Sequence, residues 1–252
     1  ENWDDVVRWS VDKGWGGIEN LIAIPGAIGG AVSQNIGAYG QEVSDVVVKL
    51  AAVNLETGQK KIFTQKDCQF EYRTSIFKDE LKNKYVITHV WFRFQPMSAG
   101  YTPNFEYQSL KEELQKLSDP PYSLSDVMEA VASQRSKNLP DINQYGTCGC
   151  FFTNPIIKKS KYRQVKEKLP DLPSYPAMKG ANWVKIPAGY LVDKRGWKGK
   201  WEDNVGVSKK HALCIVTKRE ASGQEILEMA NKIKKDVKQA YEVELDFEVN
   251  IV

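Results

Sequence analysis

A long apolar segment interrupted by glycine and proline constrains this chain more than any other feature. It reads IENLIAIPGAIGGAVSQNIGAYG and covers residues 18–40. Glycine adopts backbone conformations that other residues avoid, and proline restricts those of its neighbours. The segment therefore predicts a backbone that turns repeatedly within a buried setting.

The same segment is suited to contact a flavin or a nucleotide. Glycines let backbone N–H groups approach a phosphate or the edge of a flavin ring, and two side-chain amides could bind ring heteroatoms. The dinucleotide-binding pattern G-x-G-x-x-G is absent, so taken alone the segment is equally consistent with a set of buried turns. The candidate cofactor-binding residues are Pro25, Gly26, Gly29, Gly30, Gln34, Asn35 and Gly37.

Helix and strand patterns are mixed along the chain, which predicts the α+β class. A double proline at 120–121 bars helix formation and marks a joint after a loop-rich region at about 95–121. The long helix at the end has a capping box formed by Ser222 and Glu225. Helices are predicted at 1–14 with Asn2 as N-cap, 109–117, 125–135, 160–169 and 223–241, and strands at 45–53, 60–64, 84–94 and 211–218.

Apolar alternation gives more detail for the strand at 84–94 and predicts one more strand at the end of the chain. In residues 84–94 apolar side chains fall on both faces, so both faces are expected to be covered. The final segment VELDFEVNIV alternates strictly, which predicts a strand with one apolar and one acidic face. One acid of that face could line an active-site cleft, or all could simply be solvated. Alternation alone does not choose between Glu244, Asp246 and Glu248.

The cysteines include a pair on a glycine-rich turn, YGTCGCFFTNP. Four cysteines in 252 residues are too few for a disulfide framework, and we expect Cys68 and Cys214 to be buried. A bridge between Cys148 and Cys150 would be strained. Because the two histidines stand alone in the sequence, no metal site is predicted. A cysteine on this turn could instead donate a proton.

Arg73 in FEYRTSIFK is a candidate for stabilising negative charge. A guanidinium held near an apolar wall can stabilise a developing oxyanion. The alternative is a surface pair in which the guanidinium stacks on Tyr72.

Composition and net charge bear on which classes of protein this chain could belong to. No apolar run approaches the ~20 residues that a membrane span needs, and no signal peptide is evident, so a cytoplasmic protein is expected. A net charge of +3, with lysines spread along the chain, gives no indication of nucleic-acid binding.

Taken in order, four of these pieces resemble the UDP-N-acetylenolpyruvoylglucosamine reductase family, the flavoenzymes that complete UDP-N-acetylmuramic acid in bacterial cell-wall synthesis. IENLIAIPGAIGGAVSQNIGAYG is similar to the family's flavin-contacting segment, YRTSIFK to its arginine motif, GTCGCFFTNP to its proton-donor turn and FEVNIV to its C-terminal glutamate strand. The resemblance covers residues 1–252. It implies FAD as cofactor, NADPH as cosubstrate and UDP-N-acetylglucosamine enolpyruvate as substrate.

The resemblance also implies roles for single residues. NADPH reduces FAD, and the reduced flavin then passes hydride to C3 of the enolpyruvyl group. Arg73, which also belongs to the cofactor site, and Glu248 match the residues that polarise and stabilise the enolate. Cys150 matches the donor of the C2 proton, a position that usually holds serine, and Cys148 is expected to be a packing neighbour.

Substrate contacts are implied in the same way. A tyrosine of the family's longer form lies on a loop that covers the UDP diphosphate. A lysine is expected at the position of Asn138, whereas Lys137 lies one place earlier, which puts that diphosphate contact in doubt. The implied substrate-binding residues are Tyr107, Asn154, Tyr175, Lys185 and His211.

The implied architecture has two domains. Residues 1–138 form an FAD-binding domain of the vanillyl-alcohol-oxidase type, which includes the loop at 95–121, and residues 139–252 form an α+β substrate-binding domain. Because the family carries a preceding segment around the FAD pyrophosphate, we expect this chain to be a fragment that binds FAD poorly alone. A monomer is expected. Two alternatives remain open: a non-catalytic UDP-sugar-binding module without flavin, and another FAD-linked oxidoreductase.

Overall fold

The chain forms two compact units, residues 1–135 and 136–252. The computed structural model describes residues 1–177, 179–218 and 220–251. Both units mix helices with short antiparallel strands, so the predicted α+β class is confirmed. The division of function between the two parts of the chain stays a prediction.

The first unit is built around an antiparallel sheet whose strands, in spatial order, are Lys60–Thr64, Val47–Asn54 and Tyr85–Phe92. Short 3-10 turns at Glu19–Leu21, Val43–Asp45, Lys66–Cys68 and Met97–Ala99 connect its elements. In chain order the elements are α1 (Trp3–Asp12), β1 (Trp15–Gly16), α2 (Ile28–Gln34), β2 (Gly37–Ala38), β3 (Gln41–Glu42), β4 (Val47–Asn54), β5 (Lys60–Thr64), β6 (Tyr85–Phe92), β7 (Gln95–Pro96), α3 (Gln108–Leu117) and α4 (Leu124–Asn138), whose last turn extends into the second unit.

Helix α1 begins where the sequence predicts it. The Asn2 side chain accepts a hydrogen bond of 2.9 Å from the Asp4 amide, which satisfies one of the unpaired donors of the first turn. Trp3 and Val7 face the core, and the Trp3 indole donates to the Leu21 carbonyl at 2.9 Å. The first helix thereby covers the 3-10 turn at the start of the glycine-containing segment.

The glycine-containing segment is more regular and more exposed than its composition predicts. Residues 28–34 form α2 despite two glycines, and Pro25, Gly26 and Gly30 are exposed. The expectation of repeated buried turns is wrong for this part. Gly29 lies against β6, because a side chain there would meet the Ile87 carbonyl oxygen at 3.5 Å. At that distance a β-carbon would make an ordinary contact, so packing against the sheet does not require a glycine at position 29.

The prediction that both faces of β6 are covered is wrong. Val86 and Trp91 are 49% and 41% exposed. The partners of β4 jump from His89 to Ile87 between Ala51 and Ala52, so Thr88 is an extra residue. Such a bulge reverses the alternation, and a pattern read from sequence with a strict period of two cannot detect the reversal.

The second unit holds two small antiparallel sheets and three helices. Its elements are β8 (Ile156–Lys158), α5 (Lys159–Lys168), β9 (Tyr175–Pro176), β10 (Trp183–Lys185), α6 (Ala188–Lys194), β11 (Trp201–Glu202), β12 (Val205–Val207), β13 (Ile215–Thr217) and α7 (Gly223–Tyr241). The strand orders of the two sheets are β8-β10-β9 and β11-β12-β13. The core is lined by α7, which buries Met229, Ala230, Ile233, Val237 and Tyr241.

The capping box of α7 is confirmed. The Ser222 hydroxyl accepts from the Glu225 amide at 3.2 Å, and the Glu225 carboxylate accepts from the Ser222 amide at 2.7 Å. The two reciprocal bonds satisfy donors that the helix itself leaves unpaired.

The predicted final strand is wrong as a continuous ladder. Val243 and Leu245 are buried as the alternation requires, but among the described residues the segment pairs through a single bridge, between Phe152 and Phe247. Ile251 is 45% exposed, and Val252 lies outside the described residues. Alternation reports which side chains are buried, whereas a ladder needs an equally long partner segment, which the structure does not provide here.

Within the described ranges, the structure contains no helix with the length and apolar character that crossing a bilayer requires.

Asp236 on α7 links that helix to the end of α6, and its charge is expected to stabilise the second unit. The Asp236 carboxylate accepts a hydrogen bond of 2.8 Å from Arg195 and one of 2.8 Å from the Trp197 indole. The Arg195 bond has the larger effect, and the two bonds hold the pKa of this carboxyl below its ordinary value. The stabilisation is therefore present above the ordinary pKa and is lost as pH falls through the lowered one. Asp236→Asn should lower the free energy of unfolding by about 1 kcal/mol at neutral pH.

Denaturant unfolding at several pH values measures this effect. The difference between the variant and the wild type should shrink as pH falls from about 4 through the lowered pKa, because Asp236 becomes protonated and neutral, like asparagine, over that range. Asp171→Asn, at an exposed acid of the same unit, is the control. A difference that does not depend on pH would contradict the assignment.

Candidate functional site

The Arg73 side chain contacts the glycine-containing segment, residues 18–40. It is the third residue of a tight turn closed by reciprocal Glu71 and Thr74 backbone bonds of 3.1 and 3.2 Å, and its φ of 58° is left-handed. The guanidinium donates to the Gly37 carbonyl, lies 4.0 Å from Glu42 and is 5.0 Å from the Tyr72 ring centroid. Both interpretations of Arg73 are thus partly met, because the side chain stacks on Tyr72 and also reaches the cofactor candidates.

Gly37 must be glycine for this arrangement. A β-carbon there would lie 2.7 Å from Arg73 Nη1 and 3.0 Å from the Gln41 carbonyl oxygen. The first contact is shorter than those of real β-carbons, and the second, with a backbone atom, is tighter than nearly all of them. The small residue at this position is therefore required by packing.

Asn35 has a different use from the predicted contact with a ring. It is fully buried and ends α2 with a φ of 49°. Its amide nitrogen donates to Glu42 at 3.0 Å and to the Glu71 carbonyl at 2.9 Å, while its oxygen accepts from the Ser44 amide at 3.1 Å. Asn35 therefore ties the glycine-containing segment to the arginine turn.

The remaining cofactor candidates lie in α2 or just before it. Gly30 is exposed, and a β-carbon there would meet no atom within 4 Å. Gly26 is exposed with a φ of 140°, and its carbonyl accepts from the Trp3 amide at 2.9 Å. Gln34 is half-buried. Packing requires the glycine at position 37, but it does not require those at positions 29 and 30.

The loop-rich region is anchored by a buried acid. Glu19 is fully buried and accepts 2.7 Å bonds from the Tyr101 hydroxyl and the Gly17 amide and one of 2.8 Å from the Gln41 amide. Burial, followed by the neighbouring Glu19 carboxylate, raises the pKa of Tyr101. Tyr101 packs so closely on Gly16 that a β-carbon there would lie 2.1 Å from its ring. The start of the loop is thus fixed to the glycine-containing segment.

The same loop presents Tyr107 beside that segment. Tyr107 is 48% exposed, and its ring packs edge-on against Tyr39 with centroids 5.8 Å apart. The half-exposed Tyr107 ring is therefore held against a residue of the glycine-containing segment.

In the second unit, the turn at 146–150 pairs with residues 213–217. The Phe151 amide donates to the Leu213 carbonyl at 2.9 Å, the Thr147 hydroxyl donates to the Ile215 carbonyl at 2.9 Å, and Cys150 lies opposite Cys214. Gly149 adopts a φ of 79°, which glycine permits without strain. The pairing places the Cys150 thiol, which is half-buried, at a defined position.

This pairing also assembles a cluster that the sequence analysis missed. Ligand atoms of Cys150, His211 and Cys214 all lie within 4.8 Å of one another. Cys68 and Cys214 are buried as predicted, whereas Cys148 is exposed, so its prediction as a packing neighbour is wrong. All four cysteines are thiols in the structure.

The three acids of the final segment have different surroundings. Glu244 lies 3.4 Å from Lys238, and Asp246 lies 3.9 Å from Lys234, both in exposed ion pairs. Glu248 is half-buried, and its amide donates to the Phe151 carbonyl at 2.9 Å. Glu248 is therefore held by its backbone beside the residue that follows Cys150.

The other substrate candidates of this unit gather at the β8-β10-β9 sheet. Lys185 pairs directly with Tyr175, which is 46% exposed. The Asn154 side chain accepts from the Ala188 amide at 2.9 Å and so supports the start of α6. His211 lies in the cysteine cluster instead, and its Nδ1 accepts from the Leu213 amide at 3.2 Å.

Comparisons with known proteins match both units. Residues 141–252 match the C-terminal domain of UDP-N-acetylenolpyruvoylglucosamine reductase, and residues 1–62 match an FAD binding domain. The chain is 39% identical to the UDP-N-acetylenolpyruvoylglucosamine reductase of Flavobacterium johnsoniae over 254 residues, which covers 100% of this chain and 74% of that protein. The chain belongs to the UDP-N-acetylenolpyruvoylglucosamine reductase family.

Two further family members give the same result. The Vibrio cholerae enzyme of that name is 40% identical, with 100% of this chain and 70% of that protein covered. A crystal structure of the Thermus caldophilus enzyme has a TM-score of 0.63 and 21% identity, and the match covers 98% of this chain and 68% of that one. At that identity the likeness shows the fold alone. As a family member with a matched FAD binding domain, the chain is an FAD-dependent oxidoreductase.

Several residues of the candidate reductase site were not predicted. Tyr39, which holds Tyr107, belongs to the glycine-containing segment and could have been noticed there. Cys214 follows His211 at a spacing of three, a signal typical of metal ligands that was available in the sequence. The sequence around Glu42 does not indicate its role, because its ion pair with Arg73 joins parts of the chain that are far apart in sequence.

Gly37→Ala should destabilise the first unit by about 1–3 kcal/mol, because the new methyl group collides with Arg73 and the Gln41 carbonyl. Chemical denaturation measures the loss. Gly223→Ala, at a glycine with no atom within 4 Å of the new β-carbon, should be neutral. In Gly37→Ala/Arg73→Ala part of the loss should be recovered, and simple additivity of the two changes would contradict the proposed collision.

Proposed function

We propose that this chain reduces the enolpyruvyl group of UDP-N-acetylglucosamine enolpyruvate to give UDP-N-acetylmuramate for peptidoglycan synthesis. FAD is the cofactor and NADPH the electron donor, and the proposal includes a cytoplasmic, monomeric protein. Its main support is the position of Glu248 in the structure, whose amide donates to the Phe151 carbonyl directly beyond Cys150. Two groups suited to proton chemistry thus lie on adjacent backbone segments of one unit.

The start of α2 fits a flavin. Pro25, Gly26 and Gly30 are exposed, and the space where a side chain of residue 30 would lie is open. These residues, with Gly29, Gln34 and Gly37, would hold the ring, and Asn35 would support them from the buried side. When bound and reduced by NADPH, FAD supplies the hydride that goes to C3 of the substrate.

Arg73 is proposed to stabilise negative charge on the substrate carboxylate as the enolate forms. Its side chain is 18% exposed, so its charge acts in a partly desolvated setting where electrostatic interactions are stronger than in water. Contacts with Gly37, Glu42 and Tyr72 hold the guanidinium in one orientation, which spares the cost of ordering it during the reaction.

Cys150 is proposed to hold a proton at Sγ and deliver it to C2 of the substrate. The backbone bonds of Phe151 and Thr147 fix the turn that carries the thiol. A thiol is mostly protonated at neutral pH, which suits a donor. Glu248 is proposed as the carboxyl group that polarises the enolate, because Glu244 and Asp246 are exposed and paired with lysines.

The substrate contacts are proposed in two groups. Tyr107 would contact the diphosphate, and Lys185 with Tyr175 would contact the nucleotide from adjacent strands. Asn154 and His211 are proposed to act nearby. The diphosphate contact expected of a lysine at position 138 stays in doubt, since Lys137 and Asn138 both lie in the last turn of α4.

Gly30→Ala separates cofactor contact from folding. Alanine should raise the helix stability by about 0.5–1 kcal/mol, since nothing obstructs its methyl group. The same methyl group would lie between the backbone and a flavin ring, so the FAD affinity measured by titration should fall. Gly223→Ala serves as the matched control, for which FAD affinity should be unchanged. Equal FAD affinity in Gly30→Ala and wild type would argue against this contact.

Cys150→Ala tests the proton donor in the flavin-loaded protein. Reduction of the flavin by NADPH should continue at the wild-type rate. The loss of the flavin's visible absorbance measures that rate. Formation of UDP-N-acetylmuramate should fall by about 10²–10⁴-fold, the range of general acid catalysis. Cys150→Ser should recover most of the turnover, because a hydroxyl can also donate a proton.

Cys148→Ala is the control for this experiment, since Cys148 is an exposed thiol of the same turn. It should leave both half-reactions intact. If Cys150→Ala lowered the two half-reactions equally, or lowered neither, the proton-donor assignment would be wrong.

A further inference from the structure

The cluster of Cys150, His211 and Cys214 has the composition of a metal site. Two thiol sulfurs and an imidazole nitrogen lie within 4.8 Å of one another. Thiolates and imidazole are the ligands that Zn²⁺ and other thiophilic divalent cations prefer, and Cys2His sets with one open position occur in proteins. No metal was predicted from the sequence, because Cys150 lies 61 residues before His211.

The backbone, rather than chance side-chain contact, brings the ligands together. Cys150 and Cys214 are opposite each other in an antiparallel bridge, flanked by the Phe151 to Leu213 bond of 2.9 Å. A bridge with this flanking bond is the non-hydrogen-bonded kind, in which side chains approach most closely. A tight turn, in which the Cys214 amide donates to the His211 carbonyl at 3.1 Å, brings the imidazole to the same place.

The spacing needs only a small adjustment. Zinc–sulfur bonds of about 2.3 Å at a tetrahedral angle separate two sulfurs by about 3.8 Å. The ligand atoms of the three residues lie within 4.8 Å of one another. Side-chain rotation can close the difference between the two distances. Metal binding through Nδ1 of His211 would replace its 3.2 Å hydrogen bond from the Leu213 amide, and binding through Nε2 would move the ring proton to Nδ1.

We propose that Cys150, His211 and Cys214 form a binding site for a thiophilic divalent cation such as Zn²⁺. The two thiols lose their protons to solvent, the sulfurs and one imidazole nitrogen bind the ion, and water takes the fourth position. No electron transfer is involved. Because Cys214 is buried and the other two residues are half-buried, the bound ion would be accessible from one side.

Occupation of this site has a consequence for the reaction, which rests on the proposed function. The ion would bind the Cys150 sulfur and remove the proton that this residue delivers to the substrate. Zn²⁺ should therefore inhibit the enolpyruvyl half-reaction while the reduction of flavin by NADPH continues. One thiol would serve as either a metal ligand or a proton donor, but not as both at once.

Titration of the reduced, flavin-free protein with Co²⁺ tests the site without any substrate. One equivalent should produce the near-ultraviolet thiolate-to-cobalt charge-transfer band and the strong visible bands of tetrahedral cobalt, and Zn²⁺ should displace them. Cys214→Ala should weaken Co²⁺ binding by about 100-fold or more, and Cys148→Ala should leave it unchanged. Absence of the charge-transfer band in the wild type, or equal affinity in Cys214→Ala, would overturn the proposal.

A second variant covers the case in which Cys214→Ala does not fold, as judged by circular dichroism. His211→Gln changes a half-buried ligand and should also weaken cobalt binding, and unchanged binding there would overturn the proposal. Inhibition by Zn²⁺ is then measured for each variant relative to its own rate without metal. If Co²⁺ binds as expected but Cys150→Ala keeps full turnover, the proposed proton donor fails and the metal site stands.

Discussion

The hydrogen bond from the Phe151 amide to the Leu213 carbonyl is the constraint on which the chemistry of the second unit depends. It fixes the register between the cysteine turn and the segment before β13. That register places Cys150 opposite Cys214. The carbonyl of the same residue, Phe151, accepts the hydrogen bond from the Glu248 amide. A shift of one residue would turn Cys150 to the opposite face and separate it from His211.

In the first unit, an arginine and a buried acid organise the glycine-containing segment from two sides. Arg73 binds its Gly37 carbonyl and stacks on Tyr72, while Glu19 gathers Gly17, Gln41 and Tyr101 around a fully buried carboxylate. A buried acid is costly unless its hydrogen bonds are satisfied, and here three donors satisfy it. The glycines differ in what a side chain would meet: at 37 neighbouring atoms leave no room, at 29 a β-carbon would make an ordinary contact with the sheet, and at 30 the space is open.

The local features that the sequence predicted correctly depend on neighbours in the chain. The Asn2 cap of α1 and the Ser222–Glu225 box of α7 each satisfy helix donors within three residues, so tertiary context has little influence on them. The errors lie where a distant partner decides. Thr88 forms a bulge because of its pairing with β4, and the final segment forms one bridge because its partner at Phe152 is short.

The sequence by itself determined the family, the α+β class and the order of the motifs, because these follow from residue identity and spacing. It could not choose Glu248 among three acids with the same alternation, nor show that Asn35 is committed to Glu42 and Glu71. Only the tertiary structure decided that Glu244 and Asp246 lie in lysine pairs and that His211 joins two cysteines 61 and 3 residues away. The physical reason is that strand register and side-chain surroundings depend on contacts between segments far apart in the chain, which a local pattern does not contain.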